Sequence, residues 1–426
     1  MRAKRENLFH LLEPLLPHVE HPSRYLDHEW GACEDQEGPF HLCMCYADVY
    51  EVGQPNLGVS ILYNTINDMS CERAYLPWND MSSLMRERGV PMLSLEAAAP
   101  LASFDAVGFT LAHELIWTNV LEALDLSGIA LTSAERDEDD PIILAGGPSA
   151  WNCEPMAPVF DAVLLGDGEE SIVDVCACIR DARAEGVSRS GLLCRLAELP
   201  GVYVPSLYDV VYDESSTRWG YAVPKPGTPA REVVLKSCIP DLAATPPVAS
   251  TIVPYMGIVQ ARLSLEVLRG CARGCRFCQA GMTYRPVRER PADQVVAAGE
   301  EGLLCSGHDE ISLTSLSTTD HSQCAAILNR MHADLAERGI RVSIPSQRLD
   351  SFGVEMAMAV GGGKKGGLTF APEAGSQRLR DVINKNVTEE DLERAARNAF
   401  ENGWRRCKLY FMMGLPTETD EDIVGI

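Results

Sequence analysis

The stretch Leu265–Arg290, LEVLRGCARGCRFCQAGMTYRPVRER, constrains this chain more than any other. Cys271, Cys275 and Cys278 stand in a C-x3-C-x2-C spacing directly after the apolar run Leu263–Leu268, which reads as a buried strand. Gly270 and Gly274 allow the tight backbone turns that converging thiolates need. An ordinary iron–sulfur cluster takes four thiolates. Three would leave one iron open, and an open iron can do chemistry. A structural zinc site is the rival reading, but zinc closes its shell with four ligands, commonly two C-x2-C pairs or a pair with histidines. The chain has no second C-x2-C pair, and the nearest spare thiol, Cys305, lies downstream in a predicted helix. The spacing favours iron–sulfur.

With 426 residues and 46% hydrophobic content, the chain is long enough for two or three globular domains. Fifteen cysteines are scattered along it, which fits a reducing cytoplasm and small buried thiols. Glu13, Pro14 and Pro17 interrupt the leucines of the first 20 residues, so no signal peptide is expected. No apolar run approaches the roughly 20 residues that span a bilayer. The net charge of −24 repels phosphate polyanions, so nucleic acid is not an expected partner. Arg269, Arg273, Arg276, Arg285, Arg288 and Arg290 nevertheless crowd the cysteine segment. They suit an anionic ligand or an acidic protein partner, or pairing with the chain's own carboxylates.

From Phe40 onward, short apolar runs alternate with helical periodicity. His41–Ala47, Pro91–Leu95, Ala106–Leu111, Pro141–Ala145 and Ala162–Leu165 read as strands; Val59–Met69, Asp80–Arg88 and Glu114–Asp125 read as helices. The alternation predicts a doubly wound, Rossmann-like α/β domain over residues 39–199, behind a helical lead-in at 1–38. Ligands bind such sheets at the carboxyl ends of strands, where Gly146-Gly147-Pro148 and Gly166-Asp167-Gly168-Glu169 fall. Neither turn is G-x-G-x-x-G, and each alone is an ordinary turn after a strand. Residues 200–254 read as a hairpin, Tyr208–Tyr212 against Trp219–Val223 around Glu214–Thr217, and a proline-rich linker. In residues 255–426, strands Leu263–Leu268, Glu310–Leu313, Arg341–Pro345, Gly367–Phe370 and Lys408–Met412 alternate with helices Ala292–Leu304, His321–Arg338, Gly353–Val360 and Glu389–Glu401. Five β/α units predict a partial TIM-type barrel with its active residues at the strand ends. The glycine run 361–367 lacks the G-x4-G-K-[ST] order of a phosphate loop and reads as a connection.

The cysteine spacing, with Phe277 just before the third cysteine, resembles the signature of the radical S-adenosylmethionine (SAM) enzymes. The resemblance implies that Cys271, Cys275 and Cys278 hold a 4Fe–4S cluster whose open iron is chelated by SAM. It implies cleavage of SAM to a 5′-deoxyadenosyl radical that abstracts hydrogen from a substrate the sequence does not name. A low-potential electron donor such as flavodoxin or ferredoxin is implied as well. By the same resemblance, Ser315 and Ser317 follow the second strand and face the methionyl amine. Ser346 and Arg348 follow the third and face the ribose and carboxylate. Glu373 follows the fourth and takes ribose hydroxyls or substrate, and Gly414-Leu415-Pro416 pack against adenine. Arg348 and Glu373 are the expected catalytic side chains; polar loop residues facing water are the plain alternative.

The two glycine turns, with Pro155, resemble the cofactor-side loops of the cobalamin-binding-type domain that precedes many radical SAM cores. Gly146, Gly147, Gly166 and Gly168 are its expected contacts. The D-x-H-x-x-G motif that supplies a cobalt-ligating histidine does not occur, so cobalamin without a protein ligand and an empty site are both open. Further stretches, ADVYEVGQPNLGVSILYNTIN among them, resemble one family of such two-module proteins from about Tyr25 to the last residue. A similar core serves methylthiolation of tRNA or protein, but the acidic balance and the lack of a second cluster motif weigh against that. A cluster carrier without a SAM pocket is the non-enzymatic rival. Because radical SAM cores usually have six strands, the barrel is expected to be truncated at the C-terminus and to expose an edge strand.

Overall fold

The structure is a computed structural model that describes residues 5–33, 38–66, 70–212, 220–249, 251–335, 337–344, 348–350 and 368–426. The expected helix Gly353–Val360, the glycine run 361–367, the hairpin turn and Ser346 lie outside the described residues. The chain divides into two units, Met1–Ile239 with Ile252–Ala261 and Pro240–Thr251 with Arg262–Ile426.

In the first unit, strands β1 (Leu42–Tyr46), β2 (Cys71–Tyr75), β3 (Ala106–Thr110), β4 (Ile142–Gly146), β5 (Ala162–Leu164) and β6 (Val202–Tyr203) form one sheet in the order β2-β1-β3-β4-β5-β6. The ladders are parallel except the last, β5 with β6. Strands buried on both faces read as continuous apolar runs, and β1 is LCMCY with all five residues buried. Cys43, Cys45, Val107, Phe109 and Ile143 enter one core with Met81 and Val120, from the helices Asn79–Arg88 and Trp117–Leu126. Leu42, Met44, Ile142 and Leu144 enter the other, with Val59, Val175 and Leu196 from Leu57–Thr65, Glu169–Ala184 and Arg189–Glu198. Helices on both faces of a parallel sheet make the fold doubly wound.

Pro91–Leu95 is not a strand. Leu93 forms an isolated bridge to Pro100, Ser94 N–H turns back to Ala99 O, and a single bond, Leu95 N–H to Arg73 O at 2.7 Å, reaches β2. The true edge strand, β2, was not read because its sequence CERAY places two charges in the core. Arg73 is fully buried, with Nη2 2.6 Å from Glu29 Oε2 and Nε 2.6 Å from Glu96 Oε1. Glu96 lies in the turn between Ser94 and Ala99. A buried charge persists only when paired and hydrogen-bonded in this way.

The hairpin β7 (Tyr208–Tyr212) and β8 (Gly220–Pro224) follows, with β7 mostly exposed. In the second unit, β9 (Leu263–Glu266), β12 (Glu310–Thr314) and β13 (Arg341–Ser343) form a parallel sheet with β12 in the middle. Leu263, Leu265, Ile311 and Leu313 pack with Val295, Leu303, Ile327 and Met331 of the helices Ala292–Ser306 and Cys324–Leu335. The expected strand through Leu268 breaks at Val267, whose carbonyl accepts from Arg290 N–H. Leu268–Arg269 (β10) then turns away to pair antiparallel with Arg288–Glu289 (β11). Strands β14 (Leu368–Glu373) and β15 (Cys407–Phe411) form a second parallel pair, backed by Ala395, Ala399 and Trp404. The helix Glu389–Glu401 starts at the Thr388/Asp391 capping box. No helix among the described residues is long and apolar enough to cross a membrane.

Candidate functional site

Strands β10 and β11 are the two arms of a loop that carries all three motif cysteines. Gly270 opens it at a φ of 90°, where a Cβ would meet Pro286 O at 2.6 Å and Tyr284 O at 2.8 Å. No other residue fits there. Cys278 N–H bonds Cys275 O at 3.1 Å, and Gly281 N–H donates to Cys278 Sγ at 3.3 Å. Cys271, Cys275 and Cys278 are free thiols and half-buried. Among the described residues, no three His, Cys, Asp or Glu side chains are drawn close enough to hold a metal ion. The donor set still fits a three-thiolate cluster: three accessible thiols on eight consecutive residues, one of them already accepting a backbone N–H.

A turn from elsewhere in the unit grips this loop. After the helix Gln377–Val382, Ile383 O accepts from Arg276 N–H at 2.9 Å and Asn384 Nδ2 donates to Gly274 O at 2.8 Å. Lys385 Nζ lies 5.9 Å from the centre of the Phe277 ring and 2.9 Å from Glu373 Oε1. Glu373 sits at the end of β14 beyond a register shift, at a φ of 73°. A non-glycine residue in the left-handed region is a strained conformation that surrounding structure must hold. Met412 N–H does so in part, bonding Glu373 O at 2.8 Å.

The other strand-end residues join the same chain of contacts. Arg348 Nη2 donates to Lys385 O at 3.1 Å and its Nε to Asp350 Oδ1 at 2.9 Å. Asp350 Oδ2 accepts from Arg273 Nη1 at 3.0 Å, and Arg273 Nε reaches Asp320 Oδ2 at 2.8 Å. Ser317 Oγ bonds the same Asp320 oxygen at 2.7 Å, and Ser317 N–H bonds Ser315 Oγ at 3.1 Å. Burial pushes the Asp320 carboxyl up, but its bonds to Arg273 and Ser317 outweigh this and hold it below the ordinary range. The Asp320 bond in turn raises the Arg273 guanidinium. Thus Ser315, Ser317, Arg348 and Glu373 belong to one network with the cysteine loop. Asp320, Asp350, Asn384 and Lys385 complete it and were not singled out from sequence, since each is an ordinary polar loop residue until the fold brings it in. Gly414 N–H bonds Glu418 Oε2 at 2.5 Å, and Leu415 packs with Ala374, Leu379 and Ile383.

The arginines divide. Arg269 pairs with Glu266 at 2.8 Å, Arg288 caps Pro286 O at 3.2 Å, and Arg290 bonds Thr245 O at 2.6 Å. These three are buried and close the loop. Arg276 and Arg285 are exposed, beside exposed Phe277, Met282 and Val287.

In the first unit, the glycine turns serve protein backbone. Gly147 has a φ of 104° and a Cβ there would meet Leu111 O at 3.0 Å; Gly166 has a φ of 105° and a Cβ would meet Ser237 O at 2.0 Å. Asp167 N–H bonds Ser237 O and Asp167 Oδ2 accepts from Ile239 N–H, so the chain seats its own segment against the second turn. Gly168 lies against Leu62, and Gly146 accepts from Leu111 N–H at 2.7 Å. The strand order puts the topological switch point between β1 and β3. The loops there carry Asp48, exposed His113 and Leu115, which is 85% exposed. Strand order is not written in the sequence, so this location could not be read from it.

Comparisons with known proteins agree with this layout. Residues 58–205 match the family profile of the N-terminal region of radical SAM proteins, and residues 265–426 match that of the radical SAM superfamily. An uncharacterised protein of Methanocaldococcus jannaschii is 29% identical over 356 residues, covering 83% of this chain and 68% of that protein. A putative methylthiotransferase of the same organism is 23% identical over 191 residues, 43% of this chain and 42% of that one. The radical SAM methyltransferase TsrM of Kitasatospora setae, solved with cobalamin and a 4Fe–4S cluster bound, has a TM-score of 0.59 at 18% identity, over 90% of this chain and 68% of that chain. OxsB, a cobalamin-dependent SAM radical enzyme, has a TM-score of 0.57 at 14% identity, over 91% of this chain and 51% of its own. These last two are likenesses of fold.

Proposed function

Because this chain is a radical SAM protein, matched by profiles of that family in both its units, we propose that it is an enzyme that uses a 4Fe–4S cluster and SAM to abstract hydrogen from a substrate. The observation that carries this reading is the single polar network joining Ser317, Arg348 and Glu373 to a loop of three free cysteines. When bound, such a cluster supplies one electron to the SAM sulfonium, giving methionine and a 5′-deoxyadenosyl radical. Cys271, Cys275 and Cys278 hold it as thiolates. Arg348 and Ser346 meet the anionic and ribose portions of SAM, Ser315 and Ser317 its amine, and Glu373 a hydroxyl of ribose or substrate. Gly414, Leu415 and Pro416 border the adenine.

We place cobalamin, which TsrM and OxsB bind, at the carboxyl ends of β1 and β3, near Gly146 and Gly147. With it, methyl transfer to carbon becomes accessible. The electron comes from an acidic low-potential carrier such as flavodoxin or ferredoxin, and the exposed Arg276 and Arg285 suit such a partner. None of the fifteen cysteines is in a disulfide, which suits a cytoplasmic protein.

Anaerobic reconstitution with iron and sulfide, followed by analysis for 5′-deoxyadenosine, tests the core reading. A stable cluster that never yields it would favour a carrier. Titration with hydroxocobalamin, read by visible absorbance, tests the first unit; no saturable binding would leave that unit a scaffold. The putative methylthiotransferase relative favours a second reading. Against it, Cys43, Cys45, Cys71 and Cys176 are buried in the first unit's core. Burial raises the thiols of the first three well above the ordinary range and pushes Cys176 up to about 12, which disfavours thiolate ligands.

A further inference from the structure

We infer that the Lys385–Glu373 ion pair sets the reduction potential of the cluster held by Cys271, Cys275 and Cys278, with Lys385 a positioning residue that touches neither iron nor substrate; this rests on the radical SAM reading above. Only 11% of the Lys385 side chain and 13% of the Glu373 side chain is exposed, so water and salt screen the pair weakly. Lys385 Nζ stands over Phe277, the residue immediately before Cys278. Its backbone cannot drift. Arg348 holds Lys385 O, Asn384 holds Gly274 O, and Ile383 O holds Arg276 N–H. Asn384 and Asn386, at φ of 54° and 51°, flank Lys385 in the left-handed region. Asparagine is one of the few non-glycine residues that enter this region readily, so it is the three hydrogen bonds that constrain the turn.

Reduction adds one electron, and therefore one negative charge, to the cluster. A nearby cation stabilises the reduced form and raises the potential; a nearby carboxylate does the reverse. Lys385 and Glu373 mask each other while both are present. Removing one exposes the other. Lys385→Met should therefore move the midpoint to a more negative potential, Glu373→Gln to a more positive one, and the double variant back toward wild type. A purely structural role for the turn predicts no such change of sign.

The test is an EPR-monitored redox titration of anaerobically reconstituted full-length wild type, Lys385→Met, Lys385→Gln, Lys385→Arg, Glu373→Gln and the Lys385→Gln/Glu373→Gln double variant. Opposite shifts for the two single charge removals, with Lys385→Arg near wild type, support the inference. If Lys385→Met loses the cluster, Lys385→Gln supplies the deciding potential. Unmoved midpoints, or shifts of one sign for both removals, overturn this inference while leaving the enzyme reading intact. Wild type with no cluster signal overturns the enzyme reading and this inference with it.

Discussion

Asn384 donates from Nδ2 to the carbonyl oxygen of Gly274 across 2.8 Å, fixing the backbone between Cys271 and Cys275 from a turn 110 residues further along the chain. A cluster loop built only from local contacts would depend on its ligands for its shape. This one is shaped from outside. Asn384→Gly keeps the left-handed backbone but loses the side-chain bond, and should weaken the loop by about 1 kcal/mol, the ordinary worth of one such bond. Oxygen-driven loss of the cluster, followed by bleaching of visible absorbance, should quicken several-fold. Unchanged bleaching would show that the thiolates alone hold the loop.

Replacing Cys271, Cys275 or Cys278 singly with alanine should abolish the visible cluster absorbance and the release of 5′-deoxyadenosine. Neither hydroxyl nor methyl replaces thiolate sulfur on iron. Cys305, Cys324 and Cys407 serve as controls. Of these, Cys305 is exposed and Cys324 is buried in the core of the second unit, so Cys324→Ala should cost about 1 kcal/mol of stability through lost packing. Both signals should survive in all three.

Glu373→Gln should spare the cluster absorbance and weaken SAM or substrate binding roughly tenfold, as a charge-assisted hydrogen bond becomes a neutral one. Isothermal titration with SAM checks this directly. Full retention of SAM affinity and of substrate KM would remove Glu373 from the binding residues.

How much of this site could be read in advance differs from residue to residue. The cysteines were legible because their spacing is itself the chemistry. Ser317, Arg348 and Glu373 were legible as strand-end polar residues, since the β/α alternation marks the strand ends. Lys385 and Asp350 were not, because the fold brings their partners Glu373 and Arg273 to them and neither pairing leaves a local signature. In the first unit, β1, β3 and β4 announced themselves as apolar runs. β2 did not, because Arg73 and Glu72 disguise a buried strand as a surface one. Pro91–Leu95 differs for the opposite reason: it is apolar, but its backbone bonds go to Ala99, to Leu126 and, once only, to Arg73 of β2, too few to make a ladder.

Arg73 gives a stability prediction. Arg73→Met leaves Glu29 and Glu96 buried without their partner and should cost about 3–5 kcal/mol, whereas Glu29→Gln/Arg73→Met/Glu96→Gln together should cost less. Urea denaturation followed by circular dichroism compares them. A triple variant no more stable than Arg73→Met would mean that shape, not charge, dominates there.

Asp320 gives a pH prediction. Its folded carboxyl titrates below its ordinary value because Arg273 and Ser317 bond the charged form. Its contribution is therefore complete above about pH 4, the unfolded value, and is lost as pH falls through the lower folded value. The stability difference between wild type and Asp320→Asn, measured by urea midpoints, should be flat from pH 7 to 5 and shrink below 4. A difference that grows on acidification would contradict the assignment.

The two units are threaded through each other in sequence: Pro240–Thr251 belongs to the second, and the chain then returns to the first for Ile252–Ala261. No single cut separates them cleanly. A gene fusion joining two finished domains end to end would leave one border, whereas this chain has three. A cut at either outer border therefore leaves one fragment carrying a short piece of the other unit's sequence. Split-protein complementation should succeed only with overlapping fragments that both retain residues 240–261.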